Sequence, residues 1–215
     1  MPDLPIEQYS HYIGLDPGYK GAFGRMNAKG TSVSVEPMPM LDDSRELDTA
    51  ALQMEFRMIA CLPNPCIGIE WPTAFAGSFG GNPRDAEHFG RQKGTLDTMA
   101  RMIVGDVRVF RIDPKTWKGR LGLDGKTIAG ANDRAARLFD TYYPEYQQLI
   151  RGPRGGLLDG PMDALLIAHF LRTRSADGMK SIAAKFGKDS PEVMAFILGG
   201  GRRKRKLGRK TGFEI

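Results

Sequence analysis

Short blocks of apolar residues, separated by glycine and proline, predict strands in the first half of the chain. Residues 9–23 are apolar and rich in glycine, and residues 32–38 alternate valine with polar side chains. Residues 27–30 between them, with the sequence NAKG, have the composition of a hairpin loop, so we expect two or three antiparallel strands at the start. Residues 66–71 and 107–112 are two further apolar blocks, each followed closely by a proline, and predict two more strands.

Apolar residues at helical spacing predict the helices. The first helix follows Asp48, which is a suitable N-cap residue. Helices are predicted over residues 50–59, 84–103, 131–142 and 161–172, with weaker helical segments at 176–186 and 191–198. Strands that come first and then alternate with helices indicate an α/β fold, in which a mixed sheet carries helices on its faces. We predict one domain over residues 1–198 and a flexible tail at 199–215.

The positive charge of the chain is concentrated in that tail. The net charge is +6, and residues 201–215 hold seven of the 31 basic residues but one of the 25 acidic residues. The first 200 residues are therefore neutral, with 24 residues of each sign. A cationic tail behind three glycines suits a polyanion such as nucleic acid, although a solvated tail or a localisation signal has the same composition. The candidate phosphate contacts are Arg202, Arg203, Lys204, Arg205 and Lys206.

Length and composition exclude several classes of protein. With 215 residues, 41% of them apolar, the chain can bury a core as one domain or two small ones. No apolar stretch approaches the ~20 residues of a membrane span, and the first residues resemble neither a signal peptide nor a transit peptide, so we expect a cytoplasmic protein. Cys61 and Cys66 lack a second Cys or His pair at zinc-finger spacing, which indicates reduced structural thiols.

Two of the predicted strands end in a carboxylate that follows a glycine. In the segments YIGLD (residues 12–16) and CIGIE (66–70), strand alternation puts Asp16 on the face of Gly14 and Glu70 on the face of Gly68. An acid in an apolar strand is costly unless it is paired or coordinated. The shared glycine offset suggests a common partner, whereas either acid alone is equally explained by contact with water or an arginine.

Two more carboxylates lie at the start of a later helix. Asp163 shares a helical stripe with Ile167 and Phe170, so we expect it to point toward the body of the protein. Asp159 lies one turn earlier. Because Pro161 is a natural first-turn residue and acids at that position cap free N–H groups, these two residues are also well explained as helix caps.

Together, the four acids indicate a divalent cation site. Oxygen ligands without a His or Cys cluster suit Mg²⁺, and two such ions about 4 Å apart can activate a water and stabilise a departing 3′ oxygen in phosphodiester hydrolysis. His88 and His169 are not spaced as a ligand pair, and no Gly-x-Gly dinucleotide motif follows a strand. A serine triad, a glycosidase pair and a dinucleotide site are therefore no better supported than a metal-dependent nuclease.

The same residues resemble a known family. The segments IGLDPG (residues 13–18) and IEWP (69–72), followed by Asp159 and Asp163 before an apolar helix, are similar to the RuvC-type Holliday-junction resolvases of the ribonuclease-H-like superfamily. The segment DPKTWK (113–118) is typical of the phage-encoded and chloroplast branch. The resemblance, over residues 13–172, implies a mixed five-stranded sheet flanked by helices and a homodimer that nicks four-way DNA junctions symmetrically with two Mg²⁺ or Mn²⁺ ions. Since nothing resembles organelle targeting, we expect a phage that replicates in bacteria as the source.

The resemblance also implies roles for individual residues. Asp16, Glu70, Asp159 and Asp163 would bind metal, and Lys118 would steady the scissile phosphate. Asp159 and Asp163 are four residues apart where bacterial RuvC proteins have three, so Asp159 lies either on the helix or in the loop before it. The glycine-rich segment after Glu70 corresponds to the region that enters the junction. Candidate DNA contacts are Phe79, Arg84, Phe89, Arg91, Lys93 and Lys115.

Three other interpretations stay open at this stage. Actin-like ATPases begin with a similar strand but are usually far longer than 215 residues. A non-catalytic DNA-binding module could keep the scaffold and use only the tail, although retention of all four acids argues against it. Another ribonuclease-H-like nuclease, acting on branched DNA, single strands or RNA/DNA hybrids, needs the same acids, because acids alone do not select the substrate.

Overall fold

A mixed five-stranded sheet forms the centre of the protein. The structure, a computed structural model, describes residues 9–42, 45–72, 83–123 and 128–174, together with residue 184. In chain order the strands are β1 (His11–Asp16), β2 (Ala22–Asn27), β3 (Val33–Pro37), β4 (Pro65–Glu70) and β5 (Val109–Ile112). They lie side by side in the order β3-β2-β1-β4-β5, with β1 antiparallel to β2 and parallel to β4. The predicted mixed sheet is confirmed.

Helices flank the sheet on both faces. Among the described residues they are α1 (Thr49–Ala60), α2 (Pro83–Val104), α3 (Pro114–Arg120), α4 (Ile128–Tyr142) and α5 (Asp159–Thr173), with 3₁₀ helices at Asp106–Arg108 and Pro144–Ile150. As predicted, Asp48 caps α1, because its carboxylate accepts the N–H groups of Ala50 and Ala51 at 3.0 and 2.9 Å. The weaker helical segments at 176–186 and 191–198 lie outside the described residues, apart from residue 184, and so does the tail.

Strand alternation divides the core into two layers. The layer under α1 and α2 contains the β1 and β4 residues Ile13, Leu15, Ile67 and Ile69. The layer under α5 contains the intervening residues Tyr12 and Cys66. Asp16 lies four residues after Tyr12, and Glu70 lies four residues after Cys66. Because side chains alternate between the faces of a strand, both acids belong to the face that α5 covers.

The central helix α5 lies directly against the backbone of β1 and β2. Gly14 and Gly24 are paired across these strands, and both lie under Ala164. A Cβ atom on Gly14 would be 2.0 Å from the Ala164 carbonyl oxygen, and one on Gly24 would be 2.5 Å from the Ala164 carbonyl carbon. Such distances are far inside van der Waals contact, so only glycine at these two positions allows the close approach. The approach brings the first turns of α5 to the end of β1.

The short helix α3 is the main difference from the sequence prediction, which took Pro114 only as the end of a strand. Asp113 caps α3 by accepting the N–H groups of Lys115 at 2.9 Å and Thr116 at 3.3 Å, and Pro114 occupies the first turn. Both are ordinary helix-start signals. The seven residues of α3 are too few to display an apolar period, and the helix was therefore missed.

Candidate active site

Two carboxylates meet at one edge of the sheet. Asp16 is the last residue of β1 and Glu70 is the last residue of β4, and the two strands are parallel neighbours. Parallel strands place their carboxyl ends at the same edge, and both acids share a face with the glycine two residues before them. The predicted juxtaposition of Asp16 and Glu70 is thus present, and both side chains are partly buried.

Helix α5 adds a third carboxylate to this edge. Asp163 comes one helical turn before Ile167, whose side chain packs 2.9 Å from the position of a Cβ on Gly14. Burial raises the pKa of Asp16 to about 6, and the charge of Asp163 adds to the rise. Burial also raises the pKa of Glu70 to about 8, helped by the charge of Asp16. The three acids therefore repel one another at the end of β1 and β4.

Lys118 supplies the positive charge among these acids. Its Nζ lies 2.8 Å from Oδ2 of Asp163, in an ion pair between α3 and α5. Burial lowers the pKa of Lys118, but the charges of Asp163, Glu70 and Asp16 outweigh it and raise the pKa overall. Burial raises the pKa of Asp163, and Lys118 opposes the rise without cancelling it. The sequence predicted Lys118 at the site only through the family resemblance, and the structure brings it there on the unpredicted helix α3.

Asp159 is the fourth carboxylate and stands at the rim. It is the first residue of α5, it is exposed, and its Oδ1 accepts the Nδ2–H of Asn132 on α4 at 2.9 Å. The N-cap residue of α5 is Leu158, which makes no side-chain capping bond. The charge of Asp159 contributes to the raised pKa of both Asp16 and Asp163. Asp159 is thus coupled to the other acids, and Asn132, which sequence patterns did not single out, orients it.

The donor chemistry of the site suits a hard divalent cation. Its ligands would be carboxylate oxygens. Burial, and after it the charge of neighbouring acids, raises the pKa values of Asp16 and Glu70, and a cation would offset both effects by stabilising the ionised carboxylates. Lys118 now supplies part of that neutralisation. Within the described residues, no three His, Cys, Asp or Glu side chains are placed so that they could hold one ion as they stand. The carboxylates would have to reorient around a metal, and Lys118 would have to give up part of its contact with Asp163.

The predicted DNA contacts differ in exposure, and several of them lie outside the described residues. Lys115 is exposed at the start of α3, on the same edge as the acids, and Arg91 is exposed on α2 with Glu46 at 3.9 Å. Phe89 is partly buried on α2. Phe79 and the residues Arg202, Arg203, Lys204, Arg205 and Lys206 lie outside the described residues, and the side chain of Arg84 does as well.

Lys93 lies in an environment unlike that of the exposed candidates. Its side chain is buried, with 2% of the residue exposed, and its Nζ lies 4.2 Å from the ring centroid of Trp71 and 3.4 Å from the Pro72 carbonyl oxygen. Burial lowers the pKa of Lys93. The aromatic face stabilises the ammonium, and in this structure Lys93 contributes to the packing between α2 and the end of β4.

Trp71, directly after Glu70, anchors the end of β4. The Lys93 ammonium lies over its ring, and the guanidinium of Arg111 lies 4.3 Å from the same ring centroid. Arg111 and Arg101 both donate to the buried carboxylate of Asp97 on α2, at distances from 2.6 to 3.1 Å. This network joins α2 to β4 and β5 beside Glu70. Only the Asp97 to Arg101 spacing of four residues was visible in sequence.

Comparisons with known proteins bear on the fold. No protein-family model and no curated protein matches the chain. Among solved structures it is similar to T. thermophilus RuvC in complex with a Holliday junction substrate, with a TM-score of 0.53 and 16% sequence identity over 80% of this chain and 98% of that chain. No helix in the described segments has both the length and the apolar character needed to cross a membrane. The mixed sheet and its flanking helices give this chain the ribonuclease-H-like fold of RuvC.

Proposed function

We propose that this protein is a metal-dependent endonuclease that resolves four-way DNA junctions by paired symmetric nicks, and that it belongs to the phage and chloroplast branch of RuvC-type resolvases. One observation carries the proposal. Asp163 on α5, Asp16 on β1 and Glu70 on β4 interact electrostatically at one sheet edge, with Lys118 at 2.8 Å from Asp163. A fold that only bound DNA would gain nothing from acids collected where a phosphate must approach.

The four acids would hold the metal. Asp16, Glu70 and Asp163 are the inner candidates, and Asp159 at the rim is the fourth, for two Mg²⁺ or Mn²⁺ ions in each active site. Bound ions would lower the pKa of an attacking water and stabilise the departing 3′ oxygen. Lys118 has 35% of its side chain exposed, so its ammonium can turn from Asp163 to a nonbridging phosphate oxygen when metal takes over the carboxylates. Its role is to hold the scissile phosphate over the acids.

Contacts with DNA would extend outward from this edge. Lys115 and Arg91 are exposed and could bind phosphates, and Phe79, Phe89 and Arg84 belong to the segment we propose for the junction centre. The tail, including Arg202, Arg203, Lys204, Arg205 and Lys206, would add affinity through phosphates without choosing among DNA structures. Paired nicks need two active sites, so we propose that the working form is a homodimer.

The experiment compares substrates. Full-length protein is incubated with an end-labelled four-way junction, a linear duplex of the same arm sequence and an RNA/DNA hybrid, each with Mg²⁺ or with EDTA. We expect cleavage of the junction, with Mg²⁺ only, at symmetric positions in two opposite strands. Cleavage mainly of the hybrid would identify a different ribonuclease-H-like nuclease. Junction binding without cleavage under any divalent metal would identify a DNA-binding module and contradict the proposal.

A further inference from the structure

The indole of Trp117 carries a polar atom that the protein core leaves unsatisfied. Trp117 is fully buried among the side chains under α5, and its Nε1 has no hydrogen-bond partner among the described residues. A buried donor without an acceptor costs about 1 to 3 kcal/mol, and native proteins retain few of them. A phenylalanine would fill much of the same space without this cost. The presence of an N–H group here therefore calls for an acceptor that another state of the site provides.

The surroundings of Trp117 identify that acceptor. The residue precedes Lys118 on α3, and the Lys118 Nζ that pairs with Asp163 lies 4.8 Å from the centroid of the Trp117 ring. The indole thus stands beside the acid cluster. The Trp117 side chain is also close enough to Glu70 to lower the pKa of that carboxyl slightly, against the larger effects of burial and of the Asp16 charge. An indole N–H can donate but not accept, so it favours an ionised carboxylate.

We propose that Trp117 is a positioning residue for Glu70: its indole N–H holds one carboxylate oxygen so that the other faces the divalent cation. The proposal rests on the proposed function, because it assigns Glu70 as a metal ligand. Groups that hydrogen-bond a metal ligand orient it, and their loss usually weakens metal binding by about 10- to 100-fold. The buried N–H would reach full hydrogen-bonding geometry once Glu70 turns toward the ion.

The test measures Mg²⁺ affinity of the full-length protein by calorimetry. Trp117→Phe keeps an aromatic ring in the core and removes the N–H, and we expect Mg²⁺ binding to weaken about tenfold. Trp71→Phe is the matched control: the same change at the residue after Glu70, which packs against the core layer of Ile67 and Ile69, should alter Mg²⁺ affinity less than twofold. In a Glu70→Gln background, Trp117→Phe should have no further effect on Mg²⁺ affinity. Equal affinity of Trp117→Phe and wild type overturns the inference, as does an undiminished Trp117→Phe effect in the Glu70→Gln background.

A second measurement uses the wild-type chain and does not depend on the variant folding. The sequence contains two tryptophans, so the ¹⁵N-labelled protein has two indole N–H signals. Addition of Mg²⁺ should move the Trp117 signal downfield and slow its hydrogen exchange, while the Trp71 signal stays nearly unchanged. If Mg²⁺ binds at Asp16 and Asp163 but the Trp117 signal does not move, the role proposed for Trp117 is contradicted and the proposed function is not. Absence of any Mg²⁺ response at these acids contradicts the proposed function itself and removes the basis of the inference.

Discussion

Gly14 on β1 and Ala164 on α5 are in such close contact that a Cβ atom on Gly14 would lie 2.0 Å from the Ala164 carbonyl oxygen. This contact sets the height of α5 above the sheet. Asp163 immediately precedes Ala164, and Asp16 follows Gly14 by two residues on the same face. The missing side chain of one glycine therefore determines how closely two carboxylates of the candidate site approach each other.

Gly14→Ala should destabilise the protein by about 3 kcal/mol, because the new methyl group meets backbone that cannot move aside. The matched control is Gly90→Ala in the middle of α2, where a Cβ atom would meet nothing within 4 Å. That change should stabilise the protein by about 0.5 to 1 kcal/mol, since alanine is the better helix former. Urea unfolding of both variants gives the comparison. Equal stability of Gly14→Ala and wild type would show that α5 is not held in place by this contact.

The acids of the site should reduce stability in the absence of metal. Burial and mutual repulsion raise the pKa of Asp16 to about 6 and that of Glu70 to about 8, so their ionised forms are unfavourable in the folded state. In EDTA at pH 8, Asp16→Asn and Glu70→Gln should each raise the Tm by about 2 to 4 °C, which corresponds to about 1 kcal/mol. Asn retains the oxygen that accepts the Gly18 N–H at 3.1 Å, so this bond is not lost. Glu36→Gln, at an exposed position of β3, should leave the Tm unchanged. A fall in Tm for both site variants contradicts the repulsion.

The buried histidine of α5 predicts a loss of stability in acid. Tyr143 Oη lies 2.7 Å from His169 Nδ1 and accepts the Arg172 Nη1–H at 3.0 Å, and burial together with the Arg172 charge lowers the pKa of His169 to about 3. The unfolded histidine has a pKa of about 6.5. The contribution of neutral His169 is therefore complete above pH 6.5 and is lost as the pH falls toward 3, by up to about 1.4 kcal/mol per pH unit.

His169→Gln is the variant that checks this dependence, because glutamine keeps an acceptor for Tyr143 but does not titrate. Unfolding free energies are measured from pH 8 to pH 4.5. The wild type should lose more stability over this range than His169→Gln does. Parallel curves for the two proteins would mean that His169 is not the group responsible.

Asn132 should influence Mg²⁺ binding by orienting the carboxylate of Asp159. Its Nδ2–H donates to Asp159 Oδ1 at 2.9 Å, and without it the exposed carboxylate is free to turn into solvent. Asn132→Ala should weaken Mg²⁺ binding about tenfold, because a carboxylate without its orienting partner is a poorer ligand. Asp133→Ala, at the exposed neighbouring position of α4, is the control and should bind Mg²⁺ as the wild type does. If Asn132→Ala also binds Mg²⁺ like the wild type, Asn132 does not position Asp159 for metal binding.

The sequence was sufficient for those parts of the site that depend on strand and helix periods. Alternation along β1 and β4 placed Asp16 and Glu70 on one face, and the apolar stripe of α5 turned Asp163 toward it; both expectations agree with the structure. These periods act within a single element and need no knowledge of its neighbours. The mixed sheet followed from the order of strands and helices in the same way.

Contacts between distant elements could not be predicted. The basic and aromatic residues around Lys93 in sequence suggested a phosphate contact, but they did not reveal that its buried ammonium lies over the ring of Trp71, 22 positions away. Asn132 and Asp159 meet only because α4 packs beside α5. The helix start at Asp113 and Pro114 was visible in sequence, but its consequence, Lys118 beside Asp163, depends on the packing of α3. These pairings depend on how separate elements pack together, which the pattern within one element does not reveal.

The central claim is that Glu70 and its neighbouring acids perform metal-dependent cleavage, and single-turnover cleavage of a four-way junction by Glu70→Gln tests it most directly. Glu36→Gln, an exposed acid on the same sheet, is measured beside it with Mg²⁺. Loss of a metal ligand removes several kcal/mol of transition-state stabilisation, so we predict a rate about 1,000-fold below wild type for Glu70→Gln and an unchanged rate for Glu36→Gln. Junction binding by Glu70→Gln should be equal or tighter, because one negative charge near the phosphates is gone. Cleavage by Glu70→Gln at the wild-type rate would contradict the account.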